Sequence, residues 1–278
     1  AYLVTAMPTR VRVPASLANL GPGFDVLALA VDLWLDVEAE PAGEPDWKFE
    51  GEGADVLNTG GNPLSSLPMR GRVRSGIPLG VGLGSSAAAQ LAAAALQGLA
   101  VREAFGRAAI QEGHPDNVAA AAFGGVRLLA GGSDLALPTP QAEVALLVAH
   151  EPASTHDARR LLPREVPLAD AVFNTGRIAL LVHALHTGEL EYLAAAMDDR
   201  LHQPYRRELY PWTAGVLEAA RLAGAYGAAI GGAGPTVFAL CPAGAGERVA
   251  AAMHEAAPDR GRPLVTEVTG SGMSVEAT

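Results

Sequence analysis

Residues 78–89 read Pro-Leu-Gly-Val-Gly-Leu-Gly-Ser-Ser-Ala-Ala-Ala, which places Gly80, Gly82 and Gly84 at alternate positions ahead of an alanine-rich run. Glycine permits positive φ and a close backbone approach to a ligand, and the first turn of a helix presents N–H groups without intrahelical partners. The combination makes an anion site, and the helix dipole adds attraction for a polyphosphate. Ser85 and Ser86 carry two readings: N-caps of that helix, or hydroxyls at the phosphates, where Ser85 would ligate Mg2+. A dinucleotide-binding fold shares the glycine-rich turn, but its Gly-x-Gly-x-x-Gly spacing and the acidic strand end about 20 residues on are missing. The Gly-x-Ser-x-Gly elbow of the serine hydrolases is also absent.

A second cluster, Glu112-Gly113-His114-Pro115-Asp116-Asn117, sets two carboxylates, an imidazole and an amide within six residues. Taken alone, Asp116 reads as the cap of a helix beginning near Asn117, and Glu112 as a solvent-facing side chain. Beside a phosphate loop the cluster gains another meaning, because phosphoryl transfer needs a carboxylate for Mg2+ and polar groups that orient the acceptor hydroxyl. Lys48 is the only lysine and lies in an acidic stretch, Asp46-Trp47-Lys48-Phe49-Glu50. That rules out a Walker loop, a protein-kinase strand lysine and a Schiff-base amine. Phosphate must be met by backbone amides, hydroxyls, Arg and a metal ion.

The elements that hold these groups follow from pattern. Val31, Leu33, Leu35 and Val37 alternate with polar or charged neighbours, a half-buried strand, and Val11 and Val13 mark a shorter strand before it. Between them lies the turn-rich loop Ser16–Asp25. Residues 41–69 read as turns, 72–77 as a strand, 85–99 and 101–111 as helices, and 125–130 and 143–150 as strands closing a first unit. Helical spacing recurs over 155–162, 169–186, 190–201 and 213–225, followed by short strands at 228–230 and 237–241, a helix over 245–256 and a strand at 264–268. The expectation is an α+β fold of two units, residues 1–150 and 151–278.

Composition narrows the rest. A net charge of −10 with no basic stripe sets nucleic acid aside. No uncharged apolar run reaches the roughly 18–20 residues of a membrane span and no leader pattern opens the sequence, so a soluble, cytoplasmic protein is expected. The lone Cys241 excludes internal disulfides and Cys-rich zinc sites, and His183 and His186, three apart on an expected helix, are read as structural or surface residues and assigned no metal. Aromatic residues make up 5% of the chain, so its core must close through small side chains.

The run Pro78-x-Gly80-Val81-Gly82-Leu83-Gly84-Ser85-Ser86-Ala87-Ala88 resembles the phosphate-binding motif of the GHMP kinases. Ala18–Asp25 is similar to the first motif of the homoserine kinases within that superfamily, and Gly231-Gly232-Ala233-Gly234-Pro235-Thr236 to its third. The resemblance implies an N-terminal mixed-sheet unit with the phosphate loop before a helix, a C-terminal ferredoxin-like sandwich, and transfer of phosphate from ATP to the hydroxyl of L-homoserine. It implies Ser85 and Glu112 as Mg2+ ligands. It further implies Asn19, Asp25, His114, Asp116, Asn117 and Gly232 around the amino acid, with Asn117 near the reacting hydroxyl.

Arg177 and Arg206 are matched to its carboxylate, with Arg207 as the fallback for Arg206. Catalysis is then expected from proximity, Mg2+ and the glycine-loop dipole, without a strong base. Where the family holds adenine with a longer stretch, this chain has only Asn58–Met69, leaving Asn58 and Asn62 as expected contacts. A homodimer is suggested by the same resemblance. Another alcohol as acceptor, or a non-catalytic sensor on the same fold, remain as alternatives.

Overall fold

The computed structural model describes residues 7–277. Strand β1 (Thr9–Asn19) turns into β2 (Gly23–Pro41), followed by β3 (Asp46–Gly51), the short helix α1 (Ala54–Leu57) and β4 (Met69–Ser75). The glycine loop leads into α2 (Ser85–Leu96), α3 (Val101–Glu112), α4 (Asp116–Phe123) and the hairpin β5 (Val126–Ala130) and β6 (Ser133–Leu137). Next come β7 (Glu143–Ala149), α5 (Thr155–Arg160), α6 (Leu168–Thr187), a 3-10 turn at Leu190–Tyr192, α7 (Leu193–Ala196) and α8 (Gln203–Arg206). The remaining elements are α9 (Thr213–Leu222), β8 (Gly227–Ile230), β9 (Val237–Cys241), α10 (Gly246–Ala256), β10 (Gly261–Glu267) and β11 (Ser274–Ala277).

Among the described residues, seven strands form one sheet, β11-β1-β2-β4-β3 with β5 and β6 alongside, and four form another, β10-β7-β9-β8. Strand β2 pairs with β1 along one edge and with two strands along the other, through Leu35–Pro41 with β4 and through Leu27–Leu29 with β5. Its alternation is the expected one: Leu35, Val37 and Ala39 are buried while Glu38 and Glu40 are exposed. Helices α2 and α4 pack on β1 and β2, and α10 packs on the second sheet with α9 beside it. The small side chains Ala87, Ala88, Ala92, Ala120 and Ala121 are all buried, which lets helix and sheet backbones approach closely. At the start of α2 the approach is tightest, with the Ser16 N–H donating to Leu83 O at 3.1 Å.

Several expectations need correction. The strand expected to close the first unit, β7, pairs with β10 and β9 in the second sheet, and six of its seven residues are buried, as a central strand requires. A division at residue 150 would therefore cut that sheet, and β11 returns to pair with β1. We propose that the units part between β6 and β7, with the C-terminal strand rejoining the first. Residues 41–69, expected to be irregular, contain β3, which pairs in parallel with β4, and α1.

The helix expected over 190–201 is broken. Asp199 accepts backbone N–H bonds from Leu201, His202 and Gln203 at 2.9, 2.9 and 2.6 Å, diverting the chain into α8. Finally, α6 is 20 residues long with a mean hydropathy of 1.2, enough by length and composition alone to cross a membrane. It carries Asp170 and Arg177, and its buried residues Asn174, Leu181, Ala184 and Leu185 face the protein.

Candidate active site

The phosphate loop is shaped by its glycines. Gly80, Gly82 and Gly84 have φ of 72°, 89° and 72°, values that side-chain-bearing residues rarely adopt. A Cβ on Gly82 would lie 2.3 Å from Gly231 O, and one on Gly84 2.1 Å from Ser16 Oγ, so the loop is gripped between β1 and the third glycine-rich segment. Gly84 is the N-cap of α2 and no side chain caps the helix, which corrects the capping reading of Ser85 and Ser86. Ser85 Oγ instead accepts the Gly80 N–H at 3.2 Å, and Ser86 Oγ donates to Glu112 Oε1. The uncapped start of α2 lines an open cleft.

The facing wall comes from four segments. Asn19 and Asp25 have φ of 75° and 57°, so local backbone strain is concentrated at the cleft. Hydrogen bonds hold this loop: Asn19 Nδ2 donates to Gly232 O at 2.8 Å, and Asn19 Oδ1 accepts the Asp25 N–H at 3.2 Å. Arg159, from α5, forks onto Asp25 with Nη1–Oδ2 at 3.0 Å and Nη2–Oδ1 at 2.6 Å. The hydrogen bond to Asp25 holds the guanidinium above its ordinary pKa against an opposing desolvation. At the N-terminus of α4, Asp116 is 1% exposed, and its Oδ1 takes bonds from His114 Nδ1 at 3.0 Å and from the Asn117 N–H at 2.8 Å. The bond to Asp116 raises the His114 imidazole above its usual value although burial works against it.

Two further groups complete that wall. Asn117 Oδ1 is buried and has no hydrogen-bond partner in the protein. Arg206 is 2% exposed on α8, donates from Nη1 to Gly232 O, and is pushed down to a pKa of about 10 by burial. The cleft thus sets an open helix start against a group of paired acids and cations.

Comparison with known proteins shows the family of the chain. The model of the GHMP kinases N terminal domain matches residues 54–125, and that of the GHMP kinases C terminal matches residues 181–259. A homoserine kinase of Thermus thermophilus is 45% identical over 276 residues, covering 92% of this chain and 94% of its own. That of Moorella thermoacetica is 39% identical, covering 83% and 86%. The chain belongs to the homoserine kinase family. A crystal structure of homoserine kinase from Cytophaga hutchinsonii superposes with a TM-score of 0.84 at 28% identity, covering 99% of this chain and all of that one. The mevalonate kinase of L. major, with a TM-score of 0.67 at 14% identity, shares the fold.

Within this homoserine kinase fold, the cleft lining brings together Asn19, Asp25, His114, Asp116, Asn117, Arg206 and Gly232 with Gly80, Gly82, Gly84, Ser85, Ser86, Ala87 and Glu112. Pro78, Val81, Leu83 and Ala88 are buried beneath the loop instead of lining it. Arg177 is absent from the lining: it sits on α6 with its guanidinium 4.5 Å over the Phe173 ring. The cation that reaches the cleft in its place is Arg159, which the sequence reading passes over. Its signal was Ser154-x-x-Asp157, whose Ser154 Oγ accepts the Asp157 N–H at 3.2 Å and starts the helix that carries Arg159.

Arg207 lines a different cavity, with Phe173 and Glu218. The Asn58 amide is spent on Phe49 and Ala54 backbone, and Asn62 Oδ1 on the N–H groups of Leu64 and Ser65, so neither is free for an adenine. The hydroxyl that reaches Glu112 is that of Ser86, not the expected Ser85.

Proposed function

We propose that this chain transfers the γ-phosphoryl group of ATP to the side-chain hydroxyl of L-homoserine, giving the O-phospho ester on the route to threonine. One observation carries the reading: a single cleft joins the open start of α2 to an acid–cation set suited to a zwitterionic amino acid. The free N–H groups of α2 and the three glycines cradle the phosphates. Asp25 and Asp116 face the ammonium group, and Arg159 and Arg206 face the carboxylate, for which the guanidinium fork is the best match. Asn117 Oδ1, buried without a partner, accepts the bond of the acceptor hydroxyl and orients it.

Phosphoryl transfer through a loose transition state asks for alignment and charge neutralisation, and alignment is what these fixed groups supply. The paired Ser86 and Glu112 fit Mg2+: they offer one hydroxyl and one carboxylate, the sparse oxygen set of an ion that keeps waters and phosphates as its other ligands. Such an ion, when held there, neutralises phosphate charge. The nucleoside has room in the neighbouring cavity lined by Pro63, Ser66, Gln90, Gln97, Arg107 and Gln111; Gln90 is one helical turn beyond Ser86 on α2.

An ADP-release assay with homoserine, mevalonate, galactose and shikimate tests the reading. Turnover with homoserine above the others supports it, and turnover with none returns the sensor alternative. The same proposal sets the enzyme in the cytoplasm. It also includes a homodimer, supported by Leu168 and Val172 of α6, which are 80% and 64% exposed. An antiparallel copy of α6 would set Asp170 of the first turn beside His186 of the last. Sedimentation of Val172→Glu tests this, and an unchanged mass relative to a dimeric parent removes α6 from the interface.

A further inference from the structure

Besides Gly232 O, Arg206 meets one side chain that is absent from the cleft lining. His202, at 0% exposure, ends the Asp199 turn ahead of α8. Its Nε2 lies 2.6 Å from Gly21 O, and its Nδ1 lies 3.0 Å from Arg206 Nη1. A carbonyl oxygen can only accept, so Nε2 carries the proton, and Nδ1 offers its lone pair to the guanidinium. Both ring nitrogens are used only in this neutral tautomer. An imidazolium would set N–H against N–H and charge against charge at Arg206.

The surroundings agree with a neutral ring. Burial pushes the imidazole down to a pKa of about 4, against the nearby Asp199 and, more weakly, Asp25, and in concert with Arg206. Asp199 Oδ2, 3.5 Å away, is already committed to the N–H groups of His202 and Gln203. From β2 the Phe24 ring closes the site at 5.3 Å from the imidazole and 5.5 Å from the Arg206 guanidinium. Gly21, the other partner, belongs to the strained Asn19–Asp25 loop, and a Cβ there would fall 2.3 Å from Met197 O. One ring therefore ties the loop that carries Asn19 and Asp25 to the helix that carries Arg206.

We propose that His202 is a positioning residue for the amino-acid substrate, holding Arg206 and the Asn19–Asp25 loop in register as the neutral Nε2–H tautomer. This rests on the reading of Arg206 as a contact of the substrate carboxylate, so the test separates the two. In His202→Gln the amide can keep the bond to Gly21 O while losing the acceptor for Arg206. In His202→Asn the side-chain oxygen stands near the former Nδ1 and restores it. Loss of a bond to a charged group corresponds to a KM for homoserine raised about tenfold in His202→Gln, with KM for ATP and kcat within about twofold and His202→Asn closer to the parent.

Equal rises in both KM values, or no rise for homoserine while Arg206→Gln shows one, overturn the role of His202. An unchanged homoserine KM in Arg206→Gln overturns the Arg206 reading itself. Where the variants fold poorly, ring-15N histidine spectra of the parent protein decide: one buried ring protonated at Nε2 alone at neutral pH is expected, and a doubly protonated or Nδ1–H ring refutes it.

Discussion

Replacing Arg159 by Gln isolates the cation that the structure brings to the cleft. Its fork onto Asp25, at 3.0 and 2.6 Å, is charge-assisted at both ends, and the side chain is 35% exposed. A bond to a charged group contributes about 1.5–3 kcal/mol, and partial exposure brings the expected loss for the substrate carboxylate to about 2 kcal/mol. At 1.4 kcal/mol per decade, kcat/KM for homoserine should fall by about thirtyfold, with most of the change in KM. The phosphates are assigned to the start of α2 on the opposite wall, so KM for ATP should move less than about twofold.

The control is Arg177→Gln, whose guanidinium rests on the Phe173 ring outside the cleft and whose loss should change kcat/KM by less than about twofold. Steady-state ADP release at saturating ATP, with homoserine varied, reads both. A large loss for Arg177→Gln with none for Arg159→Gln would refute the assignment of the carboxylate end.

Gly82→Ala should raise KM for ATP and lower stability to urea by about 3 kcal/mol, because its Cβ would meet the Gly231 and Gly234 oxygens at 2.3 and 3.0 Å at a φ of 89°; unchanged unfolding would show the two loops to be free of each other. His114 has a raised pKa in the folded protein, so its pairing with Asp116 stabilises fully below pH about 6.5 and fades as pH rises through the higher folded value. The melting temperature of the parent should therefore exceed that of His114→Gln most on the acid side, and a pH-independent gap would contradict this. Ser86→Ala should raise the Mg2+ needed for half-maximal rate, as Glu112→Gln should, while Ser85→Ala shifts it little. The reverse order for the two serines would return the metal to Ser85.

The glycine loop and the start of α2 were legible because their signal is local. Three glycines and a run of alanines fix both the turn and the helix start, and nothing distant has to be known to read them. The bond from His114 to Asp116 is local too, two residues apart at a helix N-terminus, but on spacing alone Asp116 reads as a helix cap, and its site role comes only with the family resemblance. The carboxylate end was not legible. Arg159 meets Asp25 across 134 residues, and Arg177 and Arg159 differ only in which helix face and which loop they meet. Strand β7 was misassigned in the same way: its seven residues read equally well as the last strand of one sheet or the centre of another. Only pairing with β9 and β10 decides.

The pairing inside the cleft also bears on which alcohols can react. Asp25 is matched by Arg159, and Asp116 accepts a bond from His114, so both carboxylates have partners before any substrate arrives. A zwitterion can enter by exchanging partners, its ammonium taking a carboxylate and its carboxylate taking the released guanidinium, with no charge left over. A monoanionic acceptor such as mevalonate could occupy Arg159 but would leave Asp25 without a cation. Asp25, one-third exposed, then loses the offset to its partial desolvation, a cost that solvent reduces but does not remove. A neutral sugar would break neither pair and gain from neither. On the proposed reading, selection for an amino acid resides less in any single contact than in the partner exchange at Asp25–Arg159 and Asp116–His114, which a zwitterion can make without leaving a charge over.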